Sequence, residues 1–251
     1  MTRKFKAVVF DLGGVVLDSP FVAIATYEEE LQIKRGVINQ IISRAGKHGA
    51  FQRLERGEIE VQAFAMQFAS EAREAGVHNI SGIEFLNRIK QISPRPLMLQ
   101  AIQMLRDSGF KTAALTNNFQ GDGSQKLIGQ QGIAKSLFDE VVESCKVGVR
   151  KPNPRIYEIV SSKLGVQPAD IVYLDDIGGN LKPAAKLGMH TIHVAVKDSS
   201  GLEALKELQI RRATDFADCV MLRSCPRVQG QNINTHTHRS RVLAADIHLA
   251  E

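Results

Sequence analysis

The chain has 251 residues, of which 43% are hydrophobic, 24% are charged and 6% are aromatic, with no tryptophan. This composition excludes collagen-like, coiled-coil and wholly disordered chains, and the few aromatic residues argue against an aromatic platform for nucleic acid. A net charge of +5 mildly favours anionic small molecules or surfaces, and by itself it predicts no nucleic-acid partner.

The first predicted element is a buried strand over residues 6–10, and the following interval, residues 19–95, carries helical periodicity without a strand pattern. The helices predicted there span residues 23–33, 37–44, 59–74 and 83–92. An all-helical interval of this size after the first strand predicts a cap inserted over a ligand crevice. The prolines at 94 and 96 mark its end, because each disfavours helix in the residue before it.

From residue 97 onward, helices and strands alternate. A helix over 97–108, ended by Gly109, leads into the second strand. This second strand is predicted over 112–115, and three more strands follow over 140–142, 171–174 and 191–196. The helices predicted between these strands are 124–135, 154–164 and 179–187. Continuous apolar strands alternating with helices predict an α/β fold with a parallel sheet, whose ligand binds beyond the carboxyl ends of the strands.

The domain organisation follows from these elements. We expect a core formed by residues 1–18 and 96–209, a helical cap of residues 19–95, and a poorly ordered tail of residues 210–251. Three cysteines cannot all pair, and no apolar run approaches the ~20 residues that a membrane-spanning helix needs. These features predict a cytoplasmic protein that binds neither membrane nor nucleic acid.

Acidic residues follow two of the predicted strands. Asp11 ends the first strand and is followed by Gly13 and Gly14, which let the backbone approach a bound anion or metal. A carboxylate on a rigid strand end suits a nucleophile, although Asp11 could merely cap the strand. Asp175 and Asp176 end the strand 171–174 and either cap the next helix or, with hard oxygen ligands, bind Mg²⁺.

Polar and basic groups follow the other segments. Thr116 and Asn117 end the second strand with hydroxyl and amide groups, which can donate to a phosphate oxygen without adding charge. Lys151 lies in a proline-bound loop before a helix that Asn153 could cap. A rigidly held ammonium would neutralise both the acidic cluster and an anionic substrate.

In this order and spacing the four segments resemble the haloacid-dehalogenase-like (HAD) hydrolase superfamily. Residues 5–17 and 96–208 are particularly similar to the amino-terminal phosphatase-like domain of soluble epoxide hydrolases. They are also similar to a segment of some acyl-CoA dehydrogenase family members, which shares Asp-x-Gly-Gly-Val, here at positions 11–15. Further matching phrases are Lys151-Pro152-x-Pro154 and Leu174-Asp175-Asp176-x-Gly178.

The resemblance implies a Rossmann-like parallel sheet core with an inserted α-helical cap, and a Mg²⁺-dependent phosphatase acting on a small phosphorylated metabolite through an aspartyl-phosphate intermediate. Asp11 would match the nucleophile and Lys151 the group that stabilises nucleophile and phosphate. Asp11, Asp176 and the Gly13 backbone carbonyl would bind the metal with support from Asp175, and Thr116, Asn117 and Lys151 would bind the substrate.

One departure from the phosphatase pattern concerns position 13. The pattern is Asp-x-Asp, whose second Asp protonates the leaving group, whereas this chain has Gly13. General acid–base catalysis typically contributes about 10²- to 10⁴-fold, so hydrolysis of an ordinary alkyl phosphate should be slow. The missing acid leaves two alternatives open: a catalytically silent binding module of the same fold, and a dehalogenase-type hydrolase, because halide leaves without a proton.

Overall fold

A parallel sheet of five strands forms the centre of the computed structural model, which describes residues 5–120, 137–195 and 204–206. The strands are β1 (Ala7–Phe10), β2 (Lys111–Thr116), β3 (Glu140–Glu143), β4 (Ile171–Asp175) and β5 (His190–His193). Their order in the sheet is β3-β2-β1-β4-β5, and every neighbouring pair is parallel. The predicted α/β fold with a Rossmann-like parallel sheet is confirmed.

The strand order reverses beside β1, and the region beyond the carboxyl ends of the central strands is called the crevice below. The chain moves from β1 outward through β2 and β3 on one side, and then returns to build β4 and β5 on the other. Such a reversal leaves space for a ligand at the carboxyl ends of the central strands. Phe10 pairs with Leu174, so Asp11 and Asp175, the next residue on each strand, follow directly at this edge.

Helices cover both faces of the sheet. Because successive strand residues point to opposite faces, Val8 and Phe10 pack on one side of β1 while Ala7 and Val9 pack on the other. The first side is covered by α6 (Pro96–Asp107), and the second by α8 (Pro154–Leu164) and α9 (Gly178–Lys186). A short helix, α7 (Ser144–Val147), follows β3. Burial on two faces explains why the central strands β1 and β4 are almost continuously apolar.

Five α-helices lie between β1 and α6 and are called the inserted helices below. They are α1 (Pro20–Glu30), α2 (Val37–Ala45), α3 (Ala50–Glu55), α4 (Val61–Glu74) and α5 (Gly82–Ile89). The sequence pattern predicted four helices in this interval and missed α3. With only six residues, α3 is too short to show a helical period.

The inserted helices have a hydrophobic cluster of their own. Phe64, Phe68 and Phe85 are fully buried in it, and the rings of Phe64 and Phe68 stack with centroids 5.2 Å apart. Phe119, which follows β2 in the chain, belongs to the same cluster. The cluster therefore includes one residue from outside the inserted helices. Phe64 and Phe68 therefore pack in the core of the inserted helices.

The chain enters and leaves the inserted helices along two adjacent segments. Leu17 and Pro94 form an antiparallel bridge. The Asp18 backbone N–H donates to the Ser93 carbonyl (2.8 Å), and the Arg95 N–H donates to the Val16 carbonyl (2.9 Å). This pairing brings the two ends of the inserted segment together. The division of the chain into a core of residues 1–18 and 96–209 and a cap of residues 19–95 stays a prediction.

Parts of the sequence-based expectations lie outside the described residues, namely the helix over 124–135 and the tail of residues 210–251. The strand expected over 191–196 corresponds to β5, and its last residue also lies outside. In the ranges that the structure describes, every helix is too short or too polar to cross a bilayer.

The phenylalanine stack predicts where the inserted helices are most sensitive to substitution. Phe68→Ala should lower the free energy of unfolding by about 3–5 kcal/mol, because the emptied volume is surrounded by rigid rings. Met66→Ala is the matched control on the same helix, since Met66 is 70% exposed and should cost little. Urea unfolding followed by far-ultraviolet circular dichroism compares the two variants, and equal losses would contradict this description of the cluster.

Candidate active site

Asp11 lies directly after β1 at the crevice. Its backbone N–H donates to the Leu174 carbonyl of β4 (2.9 Å), which continues the sheet pairing by one residue. Its Oδ1 accepts the backbone N–H of Leu12 (2.7 Å), and the residue is 7% exposed. Strand pairing and this local hydrogen bond therefore fix the carboxylate at the carboxyl end of the sheet.

The two glycines after Asp11 differ in what they permit. Gly14 has a φ of 76°, and a Cβ built on it would lie 2.0 Å from Oδ2 of Asp176. Glycine is therefore required at 14 for Asp176 to approach this turn. Gly13 has an ordinary φ, and a Cβ there would lie 3.3 Å from Cδ of Pro20, a contact that a small shift relieves.

Lys151 joins the acidic residues across the crevice. Its Nζ lies 2.8 Å from Oδ1 of Asp11 and 2.8 Å from Oδ2 of Asp175, and the lysine is only 1% exposed. Asp11, Asp175 and Asp176 offer carboxylate oxygens that all lie within 4.8 Å of one another. The structure thus brings together the three acids and the lysine that the sequence analysis singled out.

The Lys151 segment is held by the end of β2. The Asn117 side chain accepts the Lys151 backbone N–H at Oδ1 (2.8 Å) and donates from Nδ2 to the Lys151 carbonyl (3.1 Å). Asn153 then caps α8 by accepting the Arg155 N–H, with Pro154 at the first helical position, as predicted. The Asn117 side chain therefore positions Lys151. The contact of Asn117 itself with a phosphoryl oxygen stays a prediction.

Thr116 is the last residue of β2 and is 5% exposed, so it lies at the same carboxyl edge as Asp11. Its partner in the register is Glu143 on β3. The contact of the Thr116 hydroxyl with a phosphoryl oxygen stays a prediction. The contact of the Gly13 carbonyl with a metal stays a prediction as well.

The Asp175 carboxylate is surrounded by donors. Oδ2 accepts from Lys151 and from the Tyr173 hydroxyl. Oδ1 accepts the Ile177 backbone N–H (2.8 Å) and the Asn180 side-chain N–H (3.0 Å). Asp175 therefore holds Lys151 and the segment before α9 together. The alternative that this acid caps the helix is wrong, because Ile177 is the N-cap residue and no side chain caps α9.

Burial and charge shift the proton equilibria of the cluster. Burial raises the pKa of Asp11 well above its usual range; Lys151 opposes this shift, and the carboxylates of Asp175 and Asp176 add to it. Burial alone would lower the pKa of Lys151, but Asp11 and Asp175 outweigh it and raise that pKa, so the ammonium is retained. Burial, and then repulsion from Asp175, raises the pKa of Asp176 to about 6.

The donor set fits a divalent cation. Three carboxylates face one ammonium, which leaves excess negative charge when all of them are ionised. Hard oxygen ligands on strand ends are what Mg²⁺ prefers, and it commonly takes only one or two carboxylates. Asp11 and Asp176 are the acids best suited to this, because the oxygens of Asp175 are already occupied by donors.

The sequence analysis missed two residues that support the site. Tyr173 donates its hydroxyl to Asp175, and Asn180 donates to the same carboxylate while its carbonyl accepts the Tyr157 hydroxyl (2.7 Å). A signal for Tyr173 was present, because residues two apart on a strand share a face. Asn180 lies five positions beyond Asp175 and on the next element, where no strand period applies.

Comparison with known proteins agrees with this geometry. A family model described as haloacid dehalogenase-like hydrolase matches residues 5–188. Acyl-CoA dehydrogenase family member 10 from Mus musculus is 36% identical over 210 residues, which are 82% of this chain and 19% of that protein. Bifunctional epoxide hydrolase 2 from Sus scrofa is 36% identical over 217 residues, 81% of this chain and 38% of that protein. The chain spans less than half the length of these relatives.

A solved structure shows the same fold. A HAD-family enzyme from Bacteroides thetaiotaomicron, described as a complex with magnesium and inorganic phosphate, superposes with a TM-score of 0.53 and 20% identity. The superposition covers 75% of this chain and 93% of that one. At this identity the likeness concerns the fold, whereas the family model matches most of the sequence. The chain therefore belongs to the haloacid dehalogenase-like hydrolase family.

Proposed function

We propose that the chain is a Mg²⁺-dependent phosphatase that hydrolyses a small phosphorylated metabolite through an aspartyl-phosphate intermediate. The observation that carries the proposal is the buried Lys151 ammonium, 2.8 Å from both Asp11 and Asp175, with Asp176 beside them. The fold relative described with magnesium and inorganic phosphate supports both the metal and the phosphoryl group.

The residues that would hold Mg²⁺ are Asp11, Asp176 and the backbone carbonyl of Gly13. When bound, the ion supplies positive charge that lets a phosphate approach a carboxylate. Gly14 contributes by leaving room for Asp176, because a Cβ there would overlap its carboxylate. Asp175 contributes to the site indirectly, because it holds Lys151 by an ion pair.

Side chains of the protein would carry out the nucleophilic attack and compensate the charge of the phosphate. An Asp11 oxygen would attack phosphorus while the bond to the leaving oxygen breaks, and the leaving group departs with that electron pair. Lys151 compensates the negative charge of nucleophile and phosphate, and Thr116 is proposed to donate to a phosphoryl oxygen. Water then attacks phosphorus, the bond between phosphorus and the Asp11 oxygen breaks, and the water proton leaves on inorganic phosphate, which restores the Asp11 carboxylate. Positioning and charge compensation are the main demands of phosphoryl transfer.

Gly13 restricts the class of substrate. It has no side chain that could protonate a departing alkoxide, so alkyl phosphates should react slowly. An aryl or acyl phosphate has a leaving group that needs no proton, and such activated esters are the proposed better substrates.

The proposal is tested with an activated ester. Wild-type chain should release p-nitrophenol from p-nitrophenyl phosphate in the presence of Mg²⁺ and not after chelation. Asp11→Asn should abolish release, because the amide cannot attack phosphorus, while the exposed-acid control Asp107→Asn should retain it. Absence of Mg²⁺-dependent release, or release by Asp11→Asn, would contradict the proposal. Mg²⁺ binding without release would favour a silent module, and chloride release from a 2-haloacid under chelation would favour a dehalogenase.

Restoring an acid at position 13 should extend the substrate range. Gly13→Asp should raise turnover of an alkyl phosphate by roughly 10²-fold, the lower end of what general acid catalysis contributes. Gly13→Asn is the matched control, because it makes the same contact with Pro20 without supplying a proton. Phosphate release from both variants is compared with wild type. An equal gain in the two variants, or none, would show that position 13 is not the missing acid.

Metal binding is expected to compete with protons. Mg²⁺ should raise the Tm more at neutral than at acidic pH, because Asp176, with a pKa of about 6, must lose its proton to bind the ion. Below that value the carboxyl is mostly protonated, and above it the carboxylate is available. Differential scanning fluorimetry measures the shift. Asp176→Asn should remove most of it and Asp107→Asn should not; a pH-independent shift would be inconsistent with the site.

A further inference from the structure

The end of α3 contacts the core at two points. Oε2 of Glu55 lies 2.6 Å from Nε of Arg150, which precedes Lys151 in the chain. Two residues after Glu55, a Cβ built on Gly57 would lie 2.5 Å from the Cys145 backbone oxygen, so the backbones approach closely there. Gly57 has a φ of 69°, which also favours glycine. The inserted helices thus contact the segment that carries Lys151.

The Lys151 segment is held from two sides. On the core side, the Asn117 side chain binds both backbone groups of Lys151. On the other side, Glu55 binds the neighbouring Arg150, whose carbonyl accepts the Asn153 N–H (3.0 Å). Loss of either attachment leaves the backbone of the Lys151 segment dependent on the other, while the ammonium keeps its ion pairs with Asp11 and Asp175.

The Glu55–Arg150 pair is protected from water. The side chain of Glu55 is 6% exposed and that of Arg150 is 26% exposed. Breaking such a pair leaves a poorly solvated charge, whereas exposed pairs are worth little. The neighbouring pair of Arg56 and Glu58 is the contrasting case, because the Glu58 side chain is 45% exposed.

We propose that Glu55 is a positioning residue, whose ion pair with Arg150 is the contact through which the inserted helices hold the Lys151 segment in place for catalysis. The catalytic part of this inference rests on the proposed phosphatase function. The physical part, that the segment loosens when Glu55 is neutralised, does not. Glu55 acts on the reaction only through Arg150 and Lys151.

The experiment compares Glu55→Gln with the matched control Glu58→Gln, three residues further along the same segment. Hydrogen exchange of the Lys151 and Asn153 amides should become about tenfold faster in Glu55→Gln, in line with the loss of a charge-assisted contact. The kcat on p-nitrophenyl phosphate should fall about tenfold through misplacement of the ammonium. The Kd for Mg²⁺ should stay unchanged, and Glu58→Gln should behave as wild type.

A double-mutant cycle separates positioning from simple destabilisation. Glu55→Gln combined with Arg150→Gln should lower kcat no further than Arg150→Gln alone, because both remove one contact. Additive losses would overturn the inference. A merely structural role would lower Tm and leave kcat unchanged at temperatures well below it. If Glu55→Gln does not fold, Arg150→Gln removes the same ion pair from its less buried partner and provides the comparison.

The two proposals fail in different ways. Unchanged exchange at Lys151 and Asn153 in Glu55→Gln overturns the inference, whatever the activity of the wild-type chain. Faster exchange with unchanged kcat overturns the positioning role. A wild-type chain without Mg²⁺-dependent release overturns the proposed phosphatase, and the exchange measurement still decides whether Glu55 holds the segment.

Discussion

One buried ammonium allows three carboxylates to share the carboxyl edge of the sheet. Asp11, Asp175 and Asp176 lie on the ends of two adjacent strands, and without a cation among them their repulsion and burial would oppose folding. Lys151 meets two of them at 2.8 Å and is itself almost completely removed from water. Removing Lys151 would leave three buried carboxylates without this compensating charge, which is strongly destabilising. The cluster is therefore costly to assemble.

Much of the surrounding structure serves to place that ammonium. Asn117 fixes the Lys151 backbone, and Tyr173 and Asn180 orient the carboxylate that receives it. Glu55 reaches the same segment from the inserted helices through Arg150. The helices that lie between the first two strands in sequence are thus connected to the site by an ion pair as well as by Phe119. Their position and the position of the lysine are physically linked.

The sequence predicted features that depend on local patterns. Continuous apolar runs indicated the strands, and the acids and the lysine followed from strand ends and a proline-bound loop. Asn153 and Pro154 marked the start of α8 because capping chemistry is local. In contrast, α3 is too short to show a period, and the pairing of Glu55 with Arg150 joins residues distant in sequence. The Asn117 side chain was expected on a phosphoryl oxygen, and only the structure shows that it holds the Lys151 backbone.

We propose that Asp11 and Asp176 share one divalent ion while Lys151 remains between Asp11 and Asp175. The decisive measurement is a crystal structure with Mg²⁺ and orthovanadate, a phosphate analogue. We expect one Mg²⁺ bound by oxygens of Asp11 and Asp176, with the analogue beside Asp11 and the ammonium undisplaced. Mg²⁺ bound away from these acids, or an ammonium expelled from between Asp11 and Asp175, would show that the proposed arrangement is wrong.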